Sequence, residues 1–161
     1  MLGKFKLSER YMRLAIKEAK KNIKLMDGGP FGACIVKENK VLSVCRNTVL
    51  SSDATAHAEI NAIRSASKAI GSFDLSGAVI YSTTEPCPMC FSAIHWAKIG
   101  QIVYGTGISD AKKIGFNELP ISLATMKKSG KSQIKVYQKF LYDECKQLFI
   151  EWSKQDKKQL Y

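Results

Sequence analysis

A chain of 161 residues with 45% apolar content can fill one hydrophobic core and is short for two, so a single domain spanning 1–161 is expected. No window approaches the ~20 consecutive apolar residues of a membrane helix, and Met1 to Lys6 lacks the apolar run of a secretory leader, which together imply a cytoplasmic protein without a membrane partner. The formal charge of +11 would steer anions or nucleic acid, but the lysines are interleaved as on solvated helix faces, with no aromatic-studded basic stripe.

Ser8 is a candidate cap for a first helix, whose apolar positions Met12, Ala15, Ile16, Ala19 and Ile23 share one face. Asp27-Gly28-Gly29-Pro30 ends it as a turn, where glycine lets backbone approach a ligand closely. Phe31 to Val36 and Val41 to Cys45, separated by Lys37-Glu38-Asn39-Lys40, read as a hairpin of two strands. After a polar loop from Asn47 to Thr55, Ala56, Ile60, Ile63 and Ser67 lie along one face of a second helix that Gly71 ends.

Val79 to Thr83 is a strand, Glu85-Pro86 breaks it, Cys87 to Trp96 forms a helix, and Gln101 to Tyr104 is the next strand, parallel to the one before the crossover. Ile108 to Thr125 has no clear period and reads as an ordered loop. Ile134 to Tyr137 supplies a last short strand, and Leu141, Cys145, Leu148, Phe149 and Trp152 form the stripe of a terminal helix with a polar tail, together residues 141–161. These elements fit a three-layer α/β/α sandwich.

Five cysteines form an odd set that argues for thiols or metal ligands over a disulfide framework. Cys34, Cys45 and Cys145 read as small buried hydrophobes. Only Cys87 and Cys90 have ligand spacing, and with His57 they make three good zinc ligands, leaving a fourth position for water. The cysteine pair shares a face at a helix start, where Pro86 and Pro88 are tolerated and the helix dipole favours thiolates. His57 and Glu59 are two residues apart, so they converge on one site only if they stand at the start of their helix. The expectation is one zinc ion per subunit where two helix starts meet, with Glu59 carrying protons for a water made acidic by the metal. His95, mid-helix, is expected to pack or hydrogen-bond.

His57-Ala58-Glu59 followed by Pro86-Cys87-Pro88-Met89-Cys90 is the pattern of zinc nucleobase deaminases. From residue 8 onward the chain resembles the cytidine and nucleobase deaminase superfamily. Gly28 to Ala33, Thr55 to Glu59, Glu85 to Cys90, Ala93 to Ala97, Asp110-Ala111 and Gly115-Phe116 are most similar to the bacterial guanine deaminases. The resemblance implies a mixed five-stranded sheet and hydrolysis of guanine to xanthine and ammonia. It implies substrate contacts from Phe31, stacking on the purine, from Asn47, hydrogen-bonding the ring, from Ala58, and from Glu118, accepting from the exocyclic amine. It also implies a homodimer that exchanges carboxyl-terminal segments, so that Trp96 and a partner's Tyr161 enclose the base. By simple count the family's asparagine falls on Arg46, and a one-residue gap in the loop assigns its role to Asn47.

Two other activities stay open: a transfer RNA adenosine deaminase, which would give the positive charge a purpose, and a deaminase of a pyrimidine or triazine. Gly28-Gly29-Pro30-Phe31 and Lys113-Ile114-Gly115-Phe116 depart from the transfer RNA enzymes' pattern. A nucleic-acid-binding protein with purely structural zinc is the reading from another class, and Glu59 has no task in it.

Overall fold

In the computed structural model of the protein the described residues are 6–161; the expectations about the leading residues fall, for 1–5, outside the described part. Helix α1 (Glu9–Lys20) buries Met12, Ala15 and Ala19 as its spacing predicts. Ser8 occupies the capping position, but its side chain makes no capping bond, and its amide instead donates to the Tyr81 hydroxyl at 3.3 Å. A four-residue helix, α2 (Asn22–Leu25), follows after a break at Lys21, and Met26 ends it in the left-handed conformation.

Strands β1 (Gly32–Lys37) and β2 (Lys40–Arg46) pair antiparallel. Their turn is tighter than the four polar residues suggested. Glu38 and Asn39 both take positive φ (50° and 63°), the two-residue geometry that matches strand twist, so Lys37 and Lys40 already belong to the ladder. A single 3₁₀ turn at Val49–Ser51 lies in the loop before α3 (Ala58–Ile70), which Gly71 ends at φ 68°. Strand β3 (Ala78–Thr84), helix α4 (Pro88–Trp96) and strand β4 (Gln101–Thr106) form the expected parallel crossover.

The region from Ile108 to Thr125 holds two helices, α5 (Ile108–Lys113) and α6 (Leu123–Ser129), which the sequence reading treats as loop. At six and seven residues they are too short to show a period, and they rest on their caps: Asp110 accepts from the Gly107 amide, and Ser122 accepts from the Thr125 amide. Strand β5 (Lys135–Tyr137) and helix α7 (Tyr142–Ser153) complete the chain.

The sheet is mixed and five-stranded, in the order β2-β1-β3-β4-β5, with β1 antiparallel to both neighbours and β3, β4 and β5 parallel. Alternation along the strands divides the core. Ala33, Ile35, Ala78, Ile80, Ile102 and Tyr104 face α3, α4 and α6, while Cys34, Val36, Val79, Tyr81 and Val103 face α1 and Cys145 of α7. One prediction about α3 is corrected: its sheet side is the row Ala58, Ala62 and Ala66, where small side chains let the helix lie close, and Ile63 and Ser67 are only half buried on its flank. No helix among the described residues is long and apolar enough to cross a membrane.

Candidate active site

Both halves of the sequence motif fall at helix starts. His57 is the N-cap of α3 and Cys87 the N-cap of α4, each with extended backbone, and neither caps its helix with its side chain. The imidazole Nδ1 stands 3.7 Å from Cys87 Sγ and 3.6 Å from Cys90 Sγ, and the ligand atoms of the three residues all lie within 4.8 Å of one another. Tetrahedral zinc with bonds of about 2.3 Å to sulfur and 2.0 Å to nitrogen requires ligand atoms roughly 3.5–3.8 Å apart, so this donor set fits zinc as it stands. All five cysteines are free.

The charges around this point are strongly coupled. Hydrogen bonding to Cys90, then to His57, holds the Cys87 thiol down to about 4 against the cost of its burial. Cys90 is pushed well up by the same bond to Cys87, by burial and by Glu59. Burial opposes protonation of His57, but the hydrogen bond to Cys87 and the charges of Glu59 and Cys87 outweigh it and raise its pKa. Glu59, one residue into α3 from Ala58, is buried, and its burial raises its pKa against the pull of His57. Its Oε2 lies 3.5 Å from Cys90 Sγ. The Ser82 hydroxyl lies 2.9 Å from Glu59 Oε1 and 2.7 Å from the Thr84 carbonyl, so one proton serves two acceptors.

A cavity of about 110 Å³ opens beside these groups, lined by His57, Glu59 and Cys87 and also by Phe31, Asn47, Phe116, Glu118 and Tyr161. Phe31 packs edge-on against Phe116 with ring centroids 4.9 Å apart. Asn47 is buried, and its Oδ1 accepts from the Val49 amide (3.0 Å) and from the Tyr161 hydroxyl (2.7 Å), which leaves Nδ2 as its free hydrogen-bonding group. The Tyr161 hydroxyl in turn accepts from the Gly29 amide at 2.9 Å. Gly28 is obligatory here, because a Cβ would lie 2.1 Å from Asn47 Oδ1. Burial, with the neighbouring Cys87 and Glu59 charges adding to it, pushes the Glu118 carboxyl up to about 7.

The structure thus brings together His57, Glu59, Cys87, Cys90, Phe31, Asn47, Glu118 and Tyr161. It places Asn47 in the cavity and turns Arg46 away, to Glu18 (3.1 Å) and Asp27 (2.7 Å). Ala58 is fully buried in the core on the sheet side of α3, so its side chain does not line the cavity. Trp96 is 77% exposed and outside the cavity of its own chain. It ends α4, which starts at the cysteines, and eight residues of helix carry it about 12 Å along the axis. Tyr161 reaches the cavity of its own chain, where the resemblance assigned it to a partner. His95 is exposed beside Trp96, at 6.2 Å between rings, because the apolar face of α4 is carried by Phe91 and Ile94.

Four supporting residues carry no role in the sequence reading. Asn22 Nδ2 donates to the carbonyls of Gly29 (2.8 Å) and Asn47 (2.7 Å), stapling two walls of the cavity. Asn61 Nδ2 reaches the Arg46 and Ala56 carbonyls and so ties α3 to the Asn47 segment. Ser82 and Glu85 are the others; Glu85 falls inside the Glu85–Cys90 segment but reads there only as a strand breaker, and the other three show only as polar residues in strands or helices.

Residues 6–106 match the family model of the cytidine and deoxycytidylate deaminase zinc-binding region. The guanine deaminase of Bacillus subtilis (strain 168) is 37% identical over 131 residues, covering 81% of this chain and 84% of that protein. The tRNA-specific adenosine deaminase of Buchnera aphidicola subsp. Schizaphis graminum is 33% identical over 127 residues, covering 78% and 80%. A solved guanine deaminase structure from Nitrosomonas europaea superposes with a TM-score of 0.81 at 28% identity, over 92% of this chain and 86% of that one. With a family match over residues 6–106, a relative aligned over four-fifths of both chains and a His-Cys-Cys cluster of zinc-binding dimensions, this chain belongs to the zinc-dependent cytidine and deoxycytidylate deaminase family.

Proposed function

We propose that the protein hydrolyses guanine to xanthine and ammonia, with residues 1–161 acting as one catalytic domain. The observation that carries this reading is a small cavity of about 110 Å³ whose wall includes Tyr161, bonded to Gly29 and Asn47. A cavity of that size suits a free base, which brings no ribose or phosphate. Asn47 and Glu118 supply complementary polarity: Nδ2 donates to an acceptor of the purine ring, and the carboxylate accepts from the exocyclic amine, with Phe31 against the ring face. The similarity to guanine deaminases over more than four-fifths of the chain supports the same substrate.

His57, Cys87 and Cys90 would hold the zinc, which when bound would supply a water acidic enough to attack at neutral pH. Glu59 moves the protons. Its Oε1 is fixed by Ser82 while Oε2 lies against the Cys90 sulfur. It takes a proton from the attacking water and gives it to the ring nitrogen beside the carbon under attack; it then takes the second proton from the hydroxyl now on that carbon and delivers it to the amine as the C–N bond breaks and the carbonyl forms, so that water and guanine become xanthine and ammonia.

The competing activity is deamination of adenosine in transfer RNA, favoured by the +11 charge and the second relative. Ammonia release from free guanine, other free bases, nucleosides and a transfer RNA anticodon stem-loop separates the two. Guanine is expected to turn over fastest; faster reaction of the stem-loop adenosine would overturn the assignment.

The same reading includes a homodimer. Trp96 and Phe73, 77% and 68% exposed, rise from the walls of a mostly apolar groove that they line with Ile60, Ile63 and Ala93, Arg64 and Ser67 being its polar members. Knob and groove on one face are self-complementary under a two-fold axis, so a second copy of this chain is the natural occupant. Exchange of the 141–161 segment is not required for this pairing, since Tyr161 already reaches Asn47 within one chain. Sedimentation should show a dimer for the wild type and a monomer for Trp96→Glu; a monomeric wild type at micromolar concentration would remove this interface.

A further inference from the structure

Glu85 lies between the end of β3 and the first zinc-binding cysteine, and it lines the cavity without contacting the metal ligands. Its carboxylate is fully engaged elsewhere. Oε2 accepts from the Ile108 amide at 3.1 Å, and Oε1 accepts from the Leu123 amide at 2.8 Å. Ile108 is the first residue of α5 and Leu123 the first of α6, so one side chain satisfies an unpaired donor at the start of each of two helices. Its own amide donates to the Thr106 carbonyl at 2.7 Å, which fixes the side chain's origin against β4.

Between those two amides runs the segment that carries Phe116, Asn117 and Glu118 into the cavity. Residues 114–122 within it have neither helix nor strand to hold them. The remaining ties are few: Asn117 donates to the Tyr161 carbonyl at 3.0 Å, and Phe116 is buried against Phe31, Trp152 and Tyr161. The two ends of the segment therefore meet on one carboxylate, anchored two residues from Cys87. We propose that Glu85 is a positioning residue: it pins both ends of the 108–123 segment and so sets Glu118 at a fixed place relative to the metal ligands. Each oxygen accepts a backbone proton, so the carboxylate is held by the two helix starts it joins. The proposal rests on the guanine reading only for what Glu118 does; the clamp itself is independent of substrate.

The test uses the zinc-loaded full chain. Glu85→Gln keeps one acceptor oxygen and turns an NH₂ donor toward the other amide, breaking one arm of the clamp while leaving the zinc ligands untouched. Zinc content is expected to stay at wild-type level, and amide hydrogen exchange in peptides covering 107–123 to become at least about tenfold faster. kcat/KM for guanine should fall by about tenfold or more. In a Glu118→Gln background the same change should cost no more than about twofold further, because the group it positions is already gone. Unchanged exchange in 107–123, or a loss that multiplies fully with that of Glu118→Gln, would overturn the assignment. If no variant or wild type released ammonia from guanine, the substrate reading would fail while the exchange experiment still decided the clamp. Should Glu85→Gln not accumulate as zinc enzyme, Glu85→Asp, which keeps the charge but is too short to span both amides, takes the same measurements.

Discussion

Glu59→Gln, fully loaded with zinc, is expected to release ammonia between about a hundred and ten thousand times more slowly than the wild type, the range general acid–base catalysis contributes. The substitution preserves volume and the capacity to accept from Ser82, which sits 2.9 Å from Oε1. It removes only the ability to take up and give back a proton. Since Glu59 touches Cys90 Sγ through Oε2 and is not one of the three clustered ligands, zinc content should remain unchanged. Elemental analysis beside the rate measurement separates a lost proton carrier from a lost metal. A Glu59→Gln enzyme with intact zinc and wild-type turnover would move the proton transfer to another group, and Glu118, the other carboxyl lining the cavity whose two oxygens are not both held by backbone amides, would be the first to examine.

Much of this was readable from residue order because the chemistry and the geometry constrain each other. His57 and Glu59 could share a site only at a helix start, and the structure puts the first at the N-cap of α3 and the second in its first turn. The strand at Val79 to Thr83 is equally visible in the sequence, but which layer Ile80 and Tyr81 face is not, because β3 is buried on both sides and shows no alternation. What escaped has a common cause. Helices α5 and α6 are shorter than two turns and are held by Glu85, Asp110 and Ser122, contacts that depend on where the chain returns in space. The sheet side of α3 was misjudged because isoleucines carry more apolar area than alanines, whereas close helix–sheet approach selects the small residues. Trp96 and Tyr161 exchanged prominence for a related reason: side chains in one family motif need not share one chain's cavity, and Trp96 leaves it along the axis of α4.

Removing the metal should have the second large effect, on stability as well as turnover. Neither His57 nor Cys87 caps its helix through a side-chain hydrogen bond, so the two starts are joined across the site by ligand atoms 3.6–3.7 Å apart. An ion that binds only the folded arrangement adds its binding free energy to folding, about 4 kcal/mol once its free concentration is a thousand times Kd. Dialysis against a chelator is therefore expected to abolish ammonia release and to lower Tm by several degrees, and stoichiometric zinc should restore both. Cys87→Ser should do the same without recovery, because a hydroxyl does not replace a thiolate as a zinc ligand at neutral pH. The outcome that would sink the metal's role is chelated protein, verified zinc-free, that turns over at the untreated rate. A chelated protein that lost activity while keeping its Tm would instead confine zinc to chemistry and leave the junction of α3 and α4 to the alanine-rich packing behind it.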